Sequence, residues 1–162
     1  MRFRSFGMLS VAAVLAAGSL VLAGEISQAQ DPGAIIEERQ ARMKENGTAM
    51  RTIGGYAQAG VGTLEDVSAA AATLAQHAID IPDLYPQGTS LTDITDPETG
   101  AKPVIWEKWN EFLGEADALE FEALKLKELA DNGNGDAISA QFEVLSTVGC
   151  GGCHQTFRQK LD

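Results

Sequence analysis

The sequence predicts an all-α protein, an antiparallel four-helix bundle with a long loop between its second and third helices. Apolar residues recur every three or four positions in four separate stretches, and no stretch forms a convincing strand. Two connections are short and rich in glycine or asparagine, so they return the chain antiparallel, whereas the third runs from residue 81 to residue 102. A bundle is the simplest way to bury four amphipathic faces.

The first helix is predicted over residues 32 to about 54. Asp31 followed by Pro32 is typical of an N-cap with proline at the first helical position. The pair Gly54-Gly55 is expected to end this helix, because glycine is a poor helix former.

The second helix begins after Thr63, which forms the pattern of a capping box with Asp66 three residues later. Pro82 cannot continue a helix, so this one should end near Asp80. The prolines and glycines that follow predict a long loop over residues 81–102, and such loops often pack on the bundle or border a functional site.

The third and fourth helices are read from their periodicity and their caps. Pro103 can start the third helix, which should stop at Asp131 before Asn132-Gly133. Asp136 is the expected N-cap of the fourth helix. Apolar residues at helical spacing then lead toward the end of the chain: Ile138, Phe142, Leu145 and Val148.

The chemistry of the chain is concentrated in one segment, Cys150, Gly151, Gly152, Cys153 and His154. This C-x-x-C-H spacing is the attachment sequence for a c-type haem, in which both thiols form thioethers and the imidazole ligates iron. On a helix the two cysteines and the histidine share one face, and the glycines leave room for a flat macrocycle. The segment therefore predicts one covalently bound haem c.

The same two cysteines could also form a thiol redox site or a zinc site. A thiol redox site is expected at the start of a helix after a strand, and no such pattern precedes Cys150. A zinc site needs a fourth ligand, and the only other histidine, His77, is far away in sequence and lacks a metal-binding neighbour. His77 is instead expected to be a helix-surface or loop-packing histidine.

The N-terminus indicates export. Arg2 and Arg4 precede an apolar run over residues 8–23, and this pattern predicts a secretory signal peptide over residues 1–29. Cleavage is expected after Ala29, with a competing site after Ala23, and the alternative is an uncleaved membrane anchor. Since haem attachment to C-x-x-C-H in bacteria occurs outside the cytoplasm, the expected location is the periplasm.

The remaining residues, 30–162, have the length of one domain. Removal of Arg2, Arg4 and Glu25 with the signal peptide changes the formal net charge from -11 to -12. So acidic a surface argues against nucleic acid or an anionic membrane as partner. It allows electrostatic docking to a basic redox partner, although acidity can also serve solubility alone.

The chain resembles the class II c-type cytochromes, the cytochrome c-prime family. The resemblance rests on four helices, an arginine-rich first helix, the long connection between the second and third helices, and C-x-x-C-H near the C-terminus. It covers essentially all of residues 30–162 and implies a four-helix haem protein, in some relatives a dimer.

Within the first helix, residues 38–44 contain the pattern Arg-Gln-x-x-Met-Lys, which resembles the low-spin cytochrome c-556 branch. That resemblance implies that Met43 is the second axial ligand opposite His154. Met43 could also be ordinary core packing, and Met50 is the weaker candidate. In high-spin relatives an apolar residue that cannot bind iron holds the matching position.

Two arginines are candidates for haem contacts. Arg39 stands four residues before Met43 on the same helix face, so its guanidinium could pair with a haem propionate. Arg158 follows His154 by four residues, so it is expected to share the helix face of the ligand, and it matches a basic residue of the family. The alternative is a solvated cation at a helix C-terminus. Trp106, Trp109 and Phe157 are expected to pack in the bundle.

The predicted function is a periplasmic electron carrier and not an enzyme, because no nucleophile or general base is arranged around the haem motif. The alternative is a five-coordinate binder or sensor of nitric oxide or carbon monoxide. A structural bundle without haem is a third reading. Whether Met43 ligates iron decides between the first two.

Overall fold

The computed structural model describes residues 31–161. The predicted signal peptide, residues 1–29, lies outside this part. Four long helices follow one another: α1 (Pro32–Ala59), α2 (Leu64–Asp80), α3 (Trp109–Asp131) and α4, which continues through three segments, Ile138–Val144, Leu145–Cys150 and Gly151–Phe157. Within residues 31–161, no helix combines the length and apolar character needed to cross a membrane.

The helices form a closed ring in which α1 packs on α2, α2 on α3, α3 on α4 and α4 on α1. A hydrogen bond of 2.5 Å from Ser68 to Asp131 joins the beginning of α2 to the end of α3, as antiparallel neighbours require. The ring encloses one apolar core, in which the largest fully buried side chains include Phe112, Leu74 and Leu126. The predicted antiparallel four-helix bundle is confirmed.

The predicted caps of the first two helices are present. The Asp31 carboxylate accepts a hydrogen bond of 3.2 Å from the Gly33 N–H. At the start of α2, the Thr63 N–H donates to the Asp66 carboxylate at 2.9 Å, and the Asp66 N–H donates to the Thr63 hydroxyl at 3.1 Å. This reciprocal pair satisfies two N–H groups that a helix start leaves free, and α2 ends at Asp80 as predicted.

The prediction that Gly54-Gly55 ends the first helix is wrong. The helix α1 continues to Ala59 and stops at Gly60, whose φ of 64° lies in the left-handed region. Gly54 is buried against α4, where an added Cβ would lie 3.0 Å from the Phe142 ring. Close packing of the two helices at this glycine offsets a loss of helix propensity of about 1 kcal/mol.

The starts of the last two helices also differ from the prediction. Pro103 precedes only a single helical turn, Val104–Glu107. Lys108 then has a non-helical conformation, and α3 begins after it. Asp136 is not an N-cap, because a 3₁₀ turn at Gly135–Ala137 precedes α4. The Ala137 N–H donates to the Asn134 carbonyl within that turn, so a backbone acceptor replaces the expected side-chain cap.

The long loop over residues 81–102 packs on the bundle, as expected. A 3₁₀ turn at Ile81–Leu84 opens it, and the Leu91 N–H donates to the Ala101 carbonyl at 2.8 Å near its other end. The loop is also tied to the chain that follows α4, since the Gln159 N–H donates to the Gly100 carbonyl at 2.8 Å. Gly100 allows this approach, because a side chain there would meet the Gln159 backbone.

We expect Gly54→Leu to lower the free energy of unfolding by about 1–3 kcal/mol, because the larger side chain overpacks the contact between α1 and Phe142. Denaturant-induced unfolding followed by circular dichroism measures the change. Gly114→Ala is the control, since apart from its own helix backbone and chain neighbours no atom lies within 4 Å of its Cβ position, and it should stabilise the protein by about 0.5–1 kcal/mol. A Gly54→Leu variant as stable as the parent would contradict the packing argument.

Candidate haem site

A cavity of about 720 Å³ lies between α1, α3, α4 and the loop over residues 81–102. Its volume falls within the range of about 300–1,000 Å³ that cofactor sites occupy. Apolar side chains form much of the wall: Met43, Met50, Ile81, Ile105, Phe112, Ala116, Leu119 and Phe157. The predicted motif residues Cys150, Cys153 and His154 all line the same cavity.

The motif lies where α4 changes its helical geometry. Leu145–Cys150 forms a π-helical segment, and the α-helix resumes at Gly151–Phe157. Insertions of π-helix inside α-helices are frequent at functional sites, because they shift the following side chains around the helix axis. Both cysteines are free thiols and are partly buried, as is His154.

Two glycines of this helix allow α3 to approach closely. A Cβ on Gly149 would lie 3.3 Å from the Leu119 side chain, and one on Gly152 would meet the Glu115 carboxylate. Glu115 itself lines the cavity beside the thiols. The structure thus assigns these glycines a role in helix packing, while the predicted room for a macrocycle at Gly151 and Gly152 stays a prediction.

Burial sets the protonation of the motif. It raises the pKa of Cys153 to about 12, with smaller contributions from Glu115 and Cys150, and it also raises the pKa of Cys150. Burial, followed by the nearby Arg158 guanidinium, lowers the pKa of His154. Neutral thiols and a neutral imidazole therefore face the cavity, and a neutral imidazole has the lone pair that metal binding requires.

Methionine side chains enter the cavity from α1. Met43 and Met50 are both half-buried and both line the wall contributed by this helix. The Met43 sulfur lies 3.9 Å from the Asn46 amide nitrogen, which donates to it. A thioether on α1 and an imidazole on α4 thus border one cavity, and ligation by Met43 stays a prediction.

Arg39 lines the cavity, but its guanidinium is committed to the long loop. Its Nε donates to the Leu84 carbonyl at 3.0 Å, and its two Nη atoms donate to Leu84, to the carbonyl and hydroxyl of Thr89 and to the Thr99 hydroxyl. All five N–H donors are engaged and the residue is 4% exposed. The predicted pairing with a propionate does not fit this arrangement, because no donor is left for it.

Tyr85 is a wall residue that the sequence did not reveal. The Arg39 guanidinium lies 4.0 Å from the centroid of the Tyr85 ring. The Phe112 ring packs edge-on against the same ring, with 4.8 Å between the two ring centroids. Burial raises the pKa of Tyr85 to about 12 against the opposing effect of Arg39. Tyr85 lies in a loop without periodicity, so no pattern marks it as part of the site.

Aromatic packing continues from Tyr85 along one side of the cavity. The Trp106 indole N–H donates to the Tyr85 carbonyl at 2.9 Å, and Trp109 and Phe157 lie 5.5 Å and 5.4 Å from Phe112 between ring centroids. The expectation that Trp106, Trp109 and Phe157 pack in the bundle is confirmed.

Arg158 does not share a helix face with His154. The last helix ends at Phe157, and Arg158 has an extended conformation with φ -110° and ψ 136°. It forms an isolated antiparallel bridge with Ala101 of the long loop. Arg158 still lines the cavity and lowers the pKa of His154. A haem contact by Arg158 therefore stays a prediction, but it now depends on the bridge to Ala101 and not on a shared helix face.

His77 is buried between α1 and α2, not on the helix surface. Its Nδ1 lies 2.6 Å from the Asn46 side-chain oxygen, and its Nε2 lies 3.3 Å from the Glu45 carboxylate. Burial and then Arg42 lower its pKa, while Glu45 and Asp80 act in the opposite direction. The expectation of a helix-surface or loop-packing histidine is therefore wrong, because His77 packs at the interface of two helices, a contact that periodicity alone does not indicate.

The donor set fits a covalently attached haem better than a protein-ligated metal ion. Across residues 31–161, no group of three or more His, Cys, Asp or Glu side chains is placed to hold a metal ion, so the zinc reading finds no ligand set there. Two thiols and an imidazole at the edge of a large apolar cavity are instead what a c-type haem requires.

Comparison with known proteins decides the family. The sequence model of the family Cytochrome C' matches residues 34–158. The chain belongs to the cytochrome c' family. Members of this family bind one covalently attached c-type haem, and the cavity beside the C-x-x-C-H segment is the candidate site for it in this chain.

Relatives of this chain include proteins named cytochrome c-554, cytochrome c-556 and cytochrome c'. Cytochrome c-556 of Agrobacterium tumefaciens (strain II Chrys) is 33% identical over 129 residues, which cover 77% of this chain and 97% of the relative. The structure of cytochrome c' from Thermochromatium tepidum is 27% identical with a TM-score of 0.72, covering 80% of this chain and 98% of that one. A cytochrome c' with ligand-controlled dimer dissociation is also 27% identical, with a TM-score of 0.71 and coverages of 82% and 99%.

We expect Arg39→Met to lower the free energy of unfolding by about 2–3 kcal/mol, because the loop carbonyls lose a charged donor. Arg39→Lys should not restore the loss, since an ammonium cannot reproduce the planar fork. Thermal unfolding and proteolysis of the loop over residues 81–102 measure the effect.

Arg42→Met is the matched control for Arg39→Met, because Arg42 makes only long ion pairs of 3.9 Å with Glu38 and Asp80. Its effect should stay within about 0.5 kcal/mol. Equal losses in the two variants would contradict the special role of Arg39.

The lowered pKa of His77 predicts a pH-dependent stability. Unfolded His77 binds a proton more readily than folded His77, so its contribution is complete above the ordinary pKa of about 6.5 and declines as the pH falls below it. Between about pH 7.5 and about pH 5, the wild type should lose more free energy of unfolding than His77→Asn, which does not titrate. Parallel pH profiles for the two proteins would contradict the prediction.

Proposed function

We propose that this member of the cytochrome c' family is a periplasmic electron carrier in which Cys150 and Cys153 hold the haem and His154 and Met43 are its axial ligands. The observation that carries the proposal is the placement of the Met43 thioether in the wall of the cavity that also contains His154, but on a different helix. The resemblance of residues 38–44 to the c-556 pattern supports the same assignment.

The protein contributes attachment of the haem, ligation of its iron and an apolar surrounding. A bound haem supplies a one-electron iron couple, and the thioether of a methionine favours the reduced state. His154 offers a neutral imidazole because burial and Arg158 lower its pKa. The apolar wall that includes Phe112 and Leu119 gives the site a low polarity, which also raises the potential. Electron transfer needs no general base or nucleophile, so we do not assign an enzymatic activity.

Export belongs to the same proposal. The segment over residues 1–29 is taken as a cleavable signal peptide, with cleavage after Ala29 or Ala23. A periplasmic location agrees with the covalent attachment of haem to Cys150 and Cys153.

The proposed partners are redox proteins with basic docking surfaces. A net charge of -11 for the whole chain favours such partners through electrostatic steering. A homodimer is also proposed, because a structural relative with the same fold undergoes ligand-controlled dimer dissociation.

The second candidate function is a binder of nitric oxide or carbon monoxide at a five-coordinate iron. Similarity to solved structures named cytochrome c' supports this alternative, because the high-spin members of that family carry an apolar residue at the position of Met43. The two functions are distinguished by the Met43 sulfur. The electron carrier requires this atom to ligate the iron, whereas the gas binder requires an open coordination position.

We expect the ferrous wild type to have a low-spin, six-coordinate absorption spectrum and Met43→Ala to convert it to a high-spin spectrum, because a methyl group cannot ligate iron. Met50→Ala is the matched control, since Met50 lines the same cavity from the same helix, and it should leave the spectrum unchanged. A high-spin wild type, or a Met43→Ala spectrum equal to that of the wild type, would favour the gas binder.

A further inference from the structure

A chain of polar side chains connects Met43 to the interface between α1 and α2. The Asn46 amide nitrogen lies 3.9 Å from the Met43 sulfur, and the Asn46 oxygen lies 2.6 Å from His77 Nδ1. His77 Nε2 then lies 3.3 Å from the Glu45 carboxylate, which is largely exposed. The chain thus runs from the wall of the haem cavity through a buried imidazole to the surface.

Helix packing alone does not require these polar groups. The buried residues of α2 around His77 are otherwise apolar, namely Leu74, Ala75 and Ala78. A polar side chain in such an interface must be hydrogen-bonded or it costs stability. His77 meets that condition through Asn46 at Nδ1, while its Nε2 lies 3.3 Å from the Glu45 carboxylate, and the amide nitrogen of Asn46 faces Met43.

The orientation of the Asn46 amide follows from what sulfur can do. A thioether accepts hydrogen bonds but has no proton to donate, so the NH₂ group of Asn46 must face Met43 and the oxygen must face His77. His77 Nδ1 therefore carries the proton that the Asn46 oxygen accepts. With the proton on Nδ1 of a neutral imidazole, Nε2 cannot donate to the Glu45 carboxylate, so Asn46 is the hydrogen-bond partner of His77.

Such a contact restricts a side chain that is otherwise flexible. Methionine is unbranched with three rotatable bonds, and its sulfur has two lone pairs. A hydrogen bond from Asn46 to one lone pair leaves the other for a metal and limits the orientations of the thioether. Groups that orient a metal ligand in this way commonly change metal affinity by about 10–100-fold when they are removed.

We propose that Asn46 and His77 are positioning residues for Met43: His77 fixes the Asn46 amide, and Asn46 holds the thioether toward the cavity. The inference rests on the proposed function, since it requires Met43 to be the second axial ligand. It adds two residues, one of them on α2, to a site otherwise built from α1, α3, α4 and the long loop.

The test is competition for the iron by imidazole, followed by the absorption spectrum of the ferric holoprotein. Asn46→Leu removes the donor to sulfur with little change in volume, so imidazole should displace Met43 with an affinity about tenfold higher than in the wild type. His77→Leu should act in the same direction. The reduction potential should fall in both variants, because weaker ligation by the thioether favours the ferric state.

Two further variants separate positioning from stability. His77→Asn places an amide N–H near the position of Nδ1, so it should retain an imidazole affinity close to that of the wild type. Gln141→Leu is the matched control, because Gln141 is also buried and bonded to a neighbouring helix, through Glu122, but does not line the cavity. This variant should change stability without changing imidazole affinity.

The outcomes separate this inference from the proposed function. A high-spin wild type overturns both. A six-coordinate wild type whose imidazole affinity and potential are unchanged in Asn46→Leu and His77→Leu overturns the positioning role alone. If Asn46→Leu does not accumulate as holoprotein, the comparison of His77→Leu with His77→Asn decides, and equal affinities in that pair would reject the proposal.

Discussion

The buried guanidinium of Arg39 is the interaction on which the haem cavity depends. The loop over residues 81–102 has no regular hydrogen-bond pattern of its own for most of its length, so its carbonyl groups need donors from elsewhere. Arg39 supplies five N–H groups from α1 to Leu84, Thr89 and Thr99, and its planar face covers Tyr85. One side chain thus joins the bundle to both ends of the loop and places Tyr85 in the cavity wall.

The same loop is fixed at its far end by the chain that follows the haem motif. The Lys102 N–H donates to the Phe157 carbonyl at 3.1 Å, and Gln159 pairs with Gly100. Phe157 packs on Phe112, which contacts Tyr85. The ends of α1 and α4 that face the cavity are therefore connected through the loop, and a shift of either helix would disturb both sets of contacts.

Local signals in the sequence predicted much of the fold. The cap at Asp31, the capping box at Thr63, the end of α2 and the antiparallel order all depend on residues close together in the chain, and the structure confirms them. The haem motif was equally visible, because its spacing carries the chemistry. The predicted end of α1 at Gly54 was wrong, since the contact that keeps Gly54 inside the helix is with Phe142, which is far away in sequence.

The composition of the cavity wall was harder to predict for the same reason. The partners of Arg39 are 45 to 60 residues away, so its helix position indicated a haem contact but not its attachment to the loop. Tyr85 has no periodic context, and the partner of the buried His77, Asn46, lies on another helix and 31 residues away in the chain. A single sequence contains no local signal for such contacts.

The central claim, that Met43 and His154 bind opposite faces of one haem, is tested most directly by nuclear magnetic resonance of ferrous holoprotein labelled in its methionine methyl groups. A methionine bound to haem iron lies over the macrocycle, whose ring current shifts its methyl resonance far upfield. The account predicts one such resonance, absent from Met43→Leu and present in Met50→Leu. Ordinary chemical shifts for both methionines would contradict it.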